Sequence, residues 1–293
     1  MEQKELEKIL YHDGKGPKLD SLQIKILLDN SKQIAVIAAA GSGKTMTMIA
    51  KVIYLIKYKK VRPTQILVLA FTNAAVLEFK ERLEKLGYFG VSIFTFHKLA
   101  SAILNVDNYD GYQIADGYEY FNAIVDSLYQ HDLKFHKIVE RMRKGRPFDL
   151  FKKDLFQILL KVKTYGMESI FDNESSKGTS ELYLLRTVYT IYRIVLRTYE
   201  TYDFDDLIIE ATKKLDTIKI PYQYVIVDEF QDISKIRLKL LEKLISKNDA
   251  DLIIVGDDWQ SIYGFSGSDI SEFYDVLKRD EMSIHYLMQV YRN

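Results

Sequence analysis

The stretch AAAGSGKT at positions 38–45 follows the apolar run IAVIAA and opens a segment, Lys44–Lys57, with apolar residues at helical spacing. A glycine-rich turn in that setting constrains the fold strongly. It needs a buried strand behind it and a helix whose N-terminus points at the turn. Gly41 and Gly43 let backbone N–H groups face phosphate oxygens, Lys44 brings a compact positive charge, and Thr45 offers a hydroxyl suited to Mg2+. Ala38 stands where the strict pattern has its first glycine, so a plain Gly-Ser turn beside a surface lysine is the rival reading.

The apolar runs ILVLAF, VSIFTF, YVIVD (224–228), LIIVG (252–256) and IHYLM (284–288) have the length of buried parallel strands. Helix-like segments at Ala74–Leu86 and 236–245 separate several of them, which predicts an α/β fold with one doubly wound parallel sheet. Between them, DLFKKDLFQILLKVK and LYLLRTVYTIYRIVL repeat apolar residues at helical spacing, and no convincing strand stands out. The expected organisation is an α/β domain of residues 1–104 and 201–293, interrupted by an inserted, mostly helical domain at 105–200.

Lys plus Arg and Asp plus Glu both number 41, so any contact with a polyanion has to come from local patches. The chain has no cysteine, which excludes a disulfide framework, a cysteine zinc site and a thiol nucleophile, and fits a reducing compartment. The start MEQKELEKIL is charged, and no apolar run approaches the roughly 20 residues that span a bilayer. A cytoplasmic protein without membrane contact is expected.

VIVDEFQD (225–232) puts Asp228 and Glu229 at the C-terminal end of an apolar strand, where open α/β sheets bind ligands. One acid can hold a metal while the other activates water, although such a pair also starts many helices. LIIVGDDWQSIYGFSG (252–267) ends a third strand in polar residues, and the amide of Gln260 has the reach for a terminal phosphate. The rival there is an Asp-Asp helix cap over a packed Trp259. KFHKIVERMRKGRPFDLFKK (134–153) is basic with interleaved Phe135, Phe148 and Phe151; it reads equally as a face for duplex phosphates and as a solvated helical face.

Taken together, LDSLQ (19–23), AAAGSGKT, FTNAAV (71–76), FTFHKLA (94–100), YDFDDL (202–207), DEFQD, GDDWQSIYGF and QVYRN (289–293) resemble the motif series of the UvrD/Rep-type helicases. Trp259 and the Phe265–Ser266 pair resemble the helicase IV branch in particular. The resemblance implies a RecA-like domain that binds ATP through Gln23, Ala40, Gly41, Ser42, Gly43, Lys44, Thr45 and Tyr291. It implies Mg2+ on Thr45 and Asp228, Glu229 as the base for water, and Gln260 and Arg292 beside the γ-phosphate. Phe71, Thr72, Asn73, Thr95, Phe96, His97, Tyr263 and Phe265 match positions of contact with single-stranded DNA, mixing hydrogen-bonding groups with rings for stacking.

Single-stranded DNA and its junctions with duplex are the implied substrate, with 3′ to 5′ polarity and a role in repair, replication or recombination. Ala74, Met46 and Ser266 depart from the family's usual basic residues, which implies a looser grip on DNA and base. The family's second RecA-like domain is absent from this sequence, so the isolated chain is expected to be nearly inactive. Two rivals remain at this level: the motor of a helicase-nuclease subunit or transcription-associated translocase, and a nucleotide-dependent DNA-binding module that does no mechanical work.

Overall fold

The computed structural model describes residues 19–39, 41–106, 113–114, 117–165, 167, 171, 179–257 and 270–287. The chain divides into two compact units, Met1–Ala100 with Thr212–Asn293, and Ser101–Ala211.

In the first unit the order is α1 (Ser21–Leu28), β1 (Gln33–Ala38), α2 (Lys44–Lys57), β2 (Ile66–Ala70), α3 (Asn73–Lys85), β3 (Ser92–Thr95) and α4 (Phe96–Leu104), the last running into the second unit. The second unit carries β4 (Gln113–Ile114), α5 (Gly117–His131), α6 (Leu133–Arg143), α7 (Phe148–Tyr165), α8 (Ser180–Thr198), β5 (Thr201–Tyr202) and most of α9 (Phe204–Lys214). The chain then returns through β6 (Tyr224–Val227), α10 (Lys235–Asn248), β7 (Asp251–Gly256), α11 (Ile270–Leu277) and β8 (Met282–Leu287).

Six strands pair in the order β3-β2-β6-β7-β1-β8, every pairing parallel. All residues of β2 are buried, and β1, β6 and β7 are buried beyond their first residue, which is why these runs are continuously apolar. Edge strand β8 alternates instead, with Ile284 and Tyr286 exposed. Because the strands are parallel, the chain leaves β1, β6 and β7 at one common edge. One face is packed by α1 and α2 through Ile26, Leu27, Met48, Val52 and Leu55.

The second unit is helical, with a core of Phe121, Phe135, Leu159, Leu184, Val188 and Tyr192. It also contains a parallel pairing of β4 with β5, two residues each, where the sequence offered no strand; two residues carry no readable period. The phenylalanines of the basic stretch are structural. Phe135 and Phe151 are buried, and Phe148 packs on Tyr129 at 4.4 Å between ring centroids. Several of its cations are paired as well: Arg143 with Glu140, Arg146 with Asp154, and Lys152 with Asp126 and Asp149.

Lys163 is buried in this unit and pairs with Asp203 and, at 2.8 Å, with Asp206. Burial opposes its charge, but the two carboxylates hold its pKa above the ordinary value. Tyr192 donates its hydroxyl to the same Asp203 oxygen at 2.6 Å. Removing one partner of a buried pair leaves the other charge stranded. Asp203→Ala is therefore expected to destabilise the helical unit by about 3–5 kcal/mol in urea unfolding, and Asp206→Ala, with its more exposed carboxylate, by clearly less. Equal losses from the two variants would contradict the assignment of Asp203 as the main partner.

Candidate functional site

The loop after β1 turns on two glycines, Gly41 at φ 78° and Gly43 at φ 84°, a left-handed backbone that other residues adopt only with strain. Gly43 is the N-cap of α2 and, having no side chain, offers no side-chain acceptor to the first N–H groups of that helix. Ser42 is 1% exposed, and its hydroxyl has no hydrogen-bond partner among the described residues. Lys44 and Thr45 form the first turn of α2. A helix start of this kind, with a positive side chain beside it, favours an anion.

At the end of β6, Asp228 is fixed by its N–H donating to the Leu69 carbonyl of β2 at 2.9 Å. Burial pushes its carboxyl up to about 6, with Glu229 beside it adding to the effect and Lys44 opposing it. Glu229 adopts φ 48°, ψ 44°, a left-handed conformation rare outside glycine, and its N–H donates to Asp228 Oδ1 at 2.9 Å. This backbone turn presents the Glu229 carboxylate to Lys44, whose Nζ donates to Oε2 at 3.1 Å. Asp257, which follows β7, is the second carboxylate near the ammonium, at 3.9 Å.

Gln231 ties the arrangement together. Its Nε2 donates to Glu229 Oε2 at 2.9 Å, and its Oε1 accepts the N–H of Asp257 at 2.9 Å. A Cβ on Gly256 would come within 3.0 Å of that Oε1 and 3.3 Å of the Phe273 ring, so a glycine permits the approach. Gln231 and Asp257 were not singled out from sequence. Both lie inside the quoted motifs, and the only available signal was a polar residue beside the end of an apolar strand.

Gln23 sits in α1, 3% exposed. Its Oε1 accepts the N–H of Asp20 at 3.0 Å while the Asp20 carboxylate accepts the N–H of Gln23 at 2.8 Å, a reciprocal cap. An amide oxygen has a second lone pair, so this use leaves Gln23 with acceptor capacity as well as its Nε2 donors.

A second group of expected residues gathers where β2 and β3 end. Phe71 packs on Phe96 at 5.4 Å between centroids, and the Arg237 guanidinium lies 5.4 Å from the Phe71 ring. Phe96 is buried, so Phe71 is the ring of this pair that reaches the surface. Thr72 caps α3 by accepting the N–H of Ala75 at 3.1 Å, Asn73 is exposed, and Thr95 accepts the N–H of Lys98 at 3.2 Å. Burial, with Arg237 nearby, pushes the His97 pKa down to about 4. Ala40, Trp259, Gln260, Tyr263, Phe265, Ser266, Tyr291 and Arg292 lie outside the described residues.

The sequence is similar to those of known proteins along most of the chain. The family model for the UvrD/REP helicase N-terminal domain covers residues 19–280. A protein of Mycoplasma capricolum named "Probable DNA helicase II homolog" is 31% identical over 94% of this chain and 39% of its own length. Proteins named "ATP-dependent DNA helicase PcrA" are 31% identical in Staphylococcus aureus, over 89% of this chain and 36% of theirs, and in Bacillus subtilis, over 94% and 38%. The chain thus spans 36 to 39% of the length of these relatives. With the family match running from before the Asp20 cap to beyond α11, the chain belongs to the UvrD/REP helicase family and carries its N-terminal domain.

Proposed function

We propose that this chain is the ATP-binding half of a motor that moves along single-stranded DNA and opens its junctions with duplex. The observation that carries the reading is the network of Lys44, Glu229, Gln231 and Asp257 at the common edge of β1, β6 and β7, beside a helix start whose glycine N-cap makes no side-chain hydrogen bond. The Ser42 hydroxyl, buried with no partner among the described residues, and that helix start both suit the phosphates of a nucleotide.

In this reading Gly41, Ser42, Gly43 and Lys44 hold the phosphates, with Ala40 in the same loop. Gln23 contacts adenine, and Thr45 and Asp228 would hold Mg2+. The cation draws charge from the phosphate oxygens when bound. Glu229 orients a water and takes its proton, and Gln231 fixes the Glu229 carboxylate for that task. Gln260 and Arg292 are assigned to the terminal phosphate and Tyr291 to the base. Phe71 offers a stacking face, Thr72, Asn73, Thr95 and His97 offer polar groups for DNA, and Phe96 supports Phe71 from within. Tyr263 and Phe265 are further proposed DNA contacts. The domain boundaries at 104/105 and 200/201, the 3′ to 5′ direction, a role in DNA repair and a cytoplasmic setting belong to the same proposal. No helix among the described residues is long and apolar enough to cross a membrane.

Three outcomes are expected. Lys44→Ala weakens Mg-ATP binding at least about tenfold, whereas Glu229→Gln binds as the parent does but loses on the order of 10²-fold or more in DNA-stimulated hydrolysis. Binding is read on this chain and turnover on the longest form of the protein that hydrolyses ATP; parental turnover in Glu229→Gln would refute the base assignment.

Phe71→Ala is expected to weaken single-stranded DNA binding by about 1–3 kcal/mol with little dependence on sequence and little change in melting temperature. Unchanged affinity in the folded variant would remove Phe71 from the DNA path.

His97 contributes as a neutral ring. Its folded pKa of about 4 lies below the ordinary 6.5, so the unfolded chain takes up more protons between those values and stability falls as pH drops through that window. His97→Gln should flatten this part of the pH–stability profile, and an unaltered slope would contradict the depressed pKa.

A further inference from the structure

α1 has only eight residues, too few to be stable alone, and it is tied at both ends. The reciprocal cap of Asp20 and Gln23 closes its start. Its end is closed by Lys51, a residue of α2 that is 4% exposed. The Lys51 ammonium donates to the backbone oxygens of Ile26 at 3.1 Å, Leu27 at 2.9 Å and Asp29 at 2.8 Å. Helices leave such C-terminal carbonyls without partners, and a cation there also complements the helix dipole.

Burying this charge has a cost. Burial pushes the Lys51 pKa down to about 8, although the Asp29 carboxylate pulls the other way. The rest of the buried face of α2 is apolar or small, including Met48, Val52 and Leu55, so packing alone does not call for a lysine. The same turn is tied to β8: the Asp29 carboxylate accepts from Ser283 Oγ at 2.6 Å and lies 2.7 Å from His285 Nε2. Burial of Asp29 favours its neutral form, but the bonds from Ser283, His285 and Ser31 outweigh this and hold the carboxyl below the usual range. Lys51 therefore joins the helix that carries Gln23 to the helix that begins at the phosphate loop.

We propose that Lys51 is a positioning residue for base selection: by closing the C-terminus of α1 it holds Gln23 at a fixed offset from the phosphate loop. This rests on the reading of Gln23 as the adenine contact. Adenine presents an acceptor at N7 and a donor at N6, whereas guanine presents acceptors at both N7 and O6. A glutamine amide distinguishes the two only while its oxygen stays opposite the N6 position. Lys51 has no part in holding phosphate.

The test compares Lys51→Met and Lys51→Arg with the parent chain. Dissociation constants are measured for ATP, GTP and inorganic tripolyphosphate with Mg2+, together with amide hydrogen exchange of Ser21–Leu28 in nucleotide-free protein. Lys51→Met should lower the ATP-over-GTP preference about three- to tenfold and leave tripolyphosphate affinity within about twofold of the parent. The α1 amides should exchange at least about tenfold faster while β1, β6 and β7 keep their protection. Lys51→Arg should restore both.

If Lys51→Met does not fold, Lys51→Gln and Ser283→Ala are measured in the same way. An unchanged preference in a folded variant, or a parallel loss of all three ligands, would overturn the inference alone. A parent chain indifferent to the base would overturn the reading of Gln23 and this inference with it.

Discussion

The ammonium of Lys44 lies 3.1 Å from the Glu229 carboxylate and 3.9 Å from that of Asp257, and the three residues come from three different segments of the chain. What brings them together is strand direction. β1, β6 and β7 run parallel and adjacent, so the residues that follow them emerge at one edge. A parallel sheet needs covering on its faces, which the apolar sides of its helices supply, and its polar chemistry concentrates where the strands end. Gln231 then locks two of those ends to each other through Glu229 and the Asp257 N–H.

Much of the framework could be read from sequence because its signals are local. The strands β1, β2, β6 and β7 are continuous apolar runs, and α2 and α3 follow the helical spacing of apolar residues after the runs before them. Residue type alone did not reveal which aromatic rings face outward. Phe96, Phe135 and Phe151 all prove to be packed inside, because burial depends on where distant segments return. The role of Gln231 was invisible for the same reason: its partner Asp257 is 26 positions away. Lys51 reads as a polar interruption in α2 until the carbonyls of α1 are seen around it.

The site also carries costs that the rest of the unit must offset. Glu229 holds a left-handed backbone, Asp228 is buried with its carboxyl pushed up to about 6, and the Ser42 hydroxyl is buried without a partner among the described residues. Each is unfavourable for folding by itself, on the order of 1–3 kcal/mol for strain or an unmet hydrogen bond. They cluster within the loops after β1 and β6 while the strands behind them are buried beyond their first residue. Such a concentration of unfavourable groups on a rigid base suits a site whose polar atoms are completed by a ligand.

The most direct test is a crystal structure of this chain with Mg2+ and a non-hydrolysable ATP analogue. Phosphates are expected at the start of α2, with Lys44 Nζ moved from Glu229 onto a phosphate oxygen, the cation against Thr45 and Asp228, and adenine against Gln23. A nucleotide bound elsewhere, or one at this edge with Lys44 still paired to Glu229, would contradict this reading.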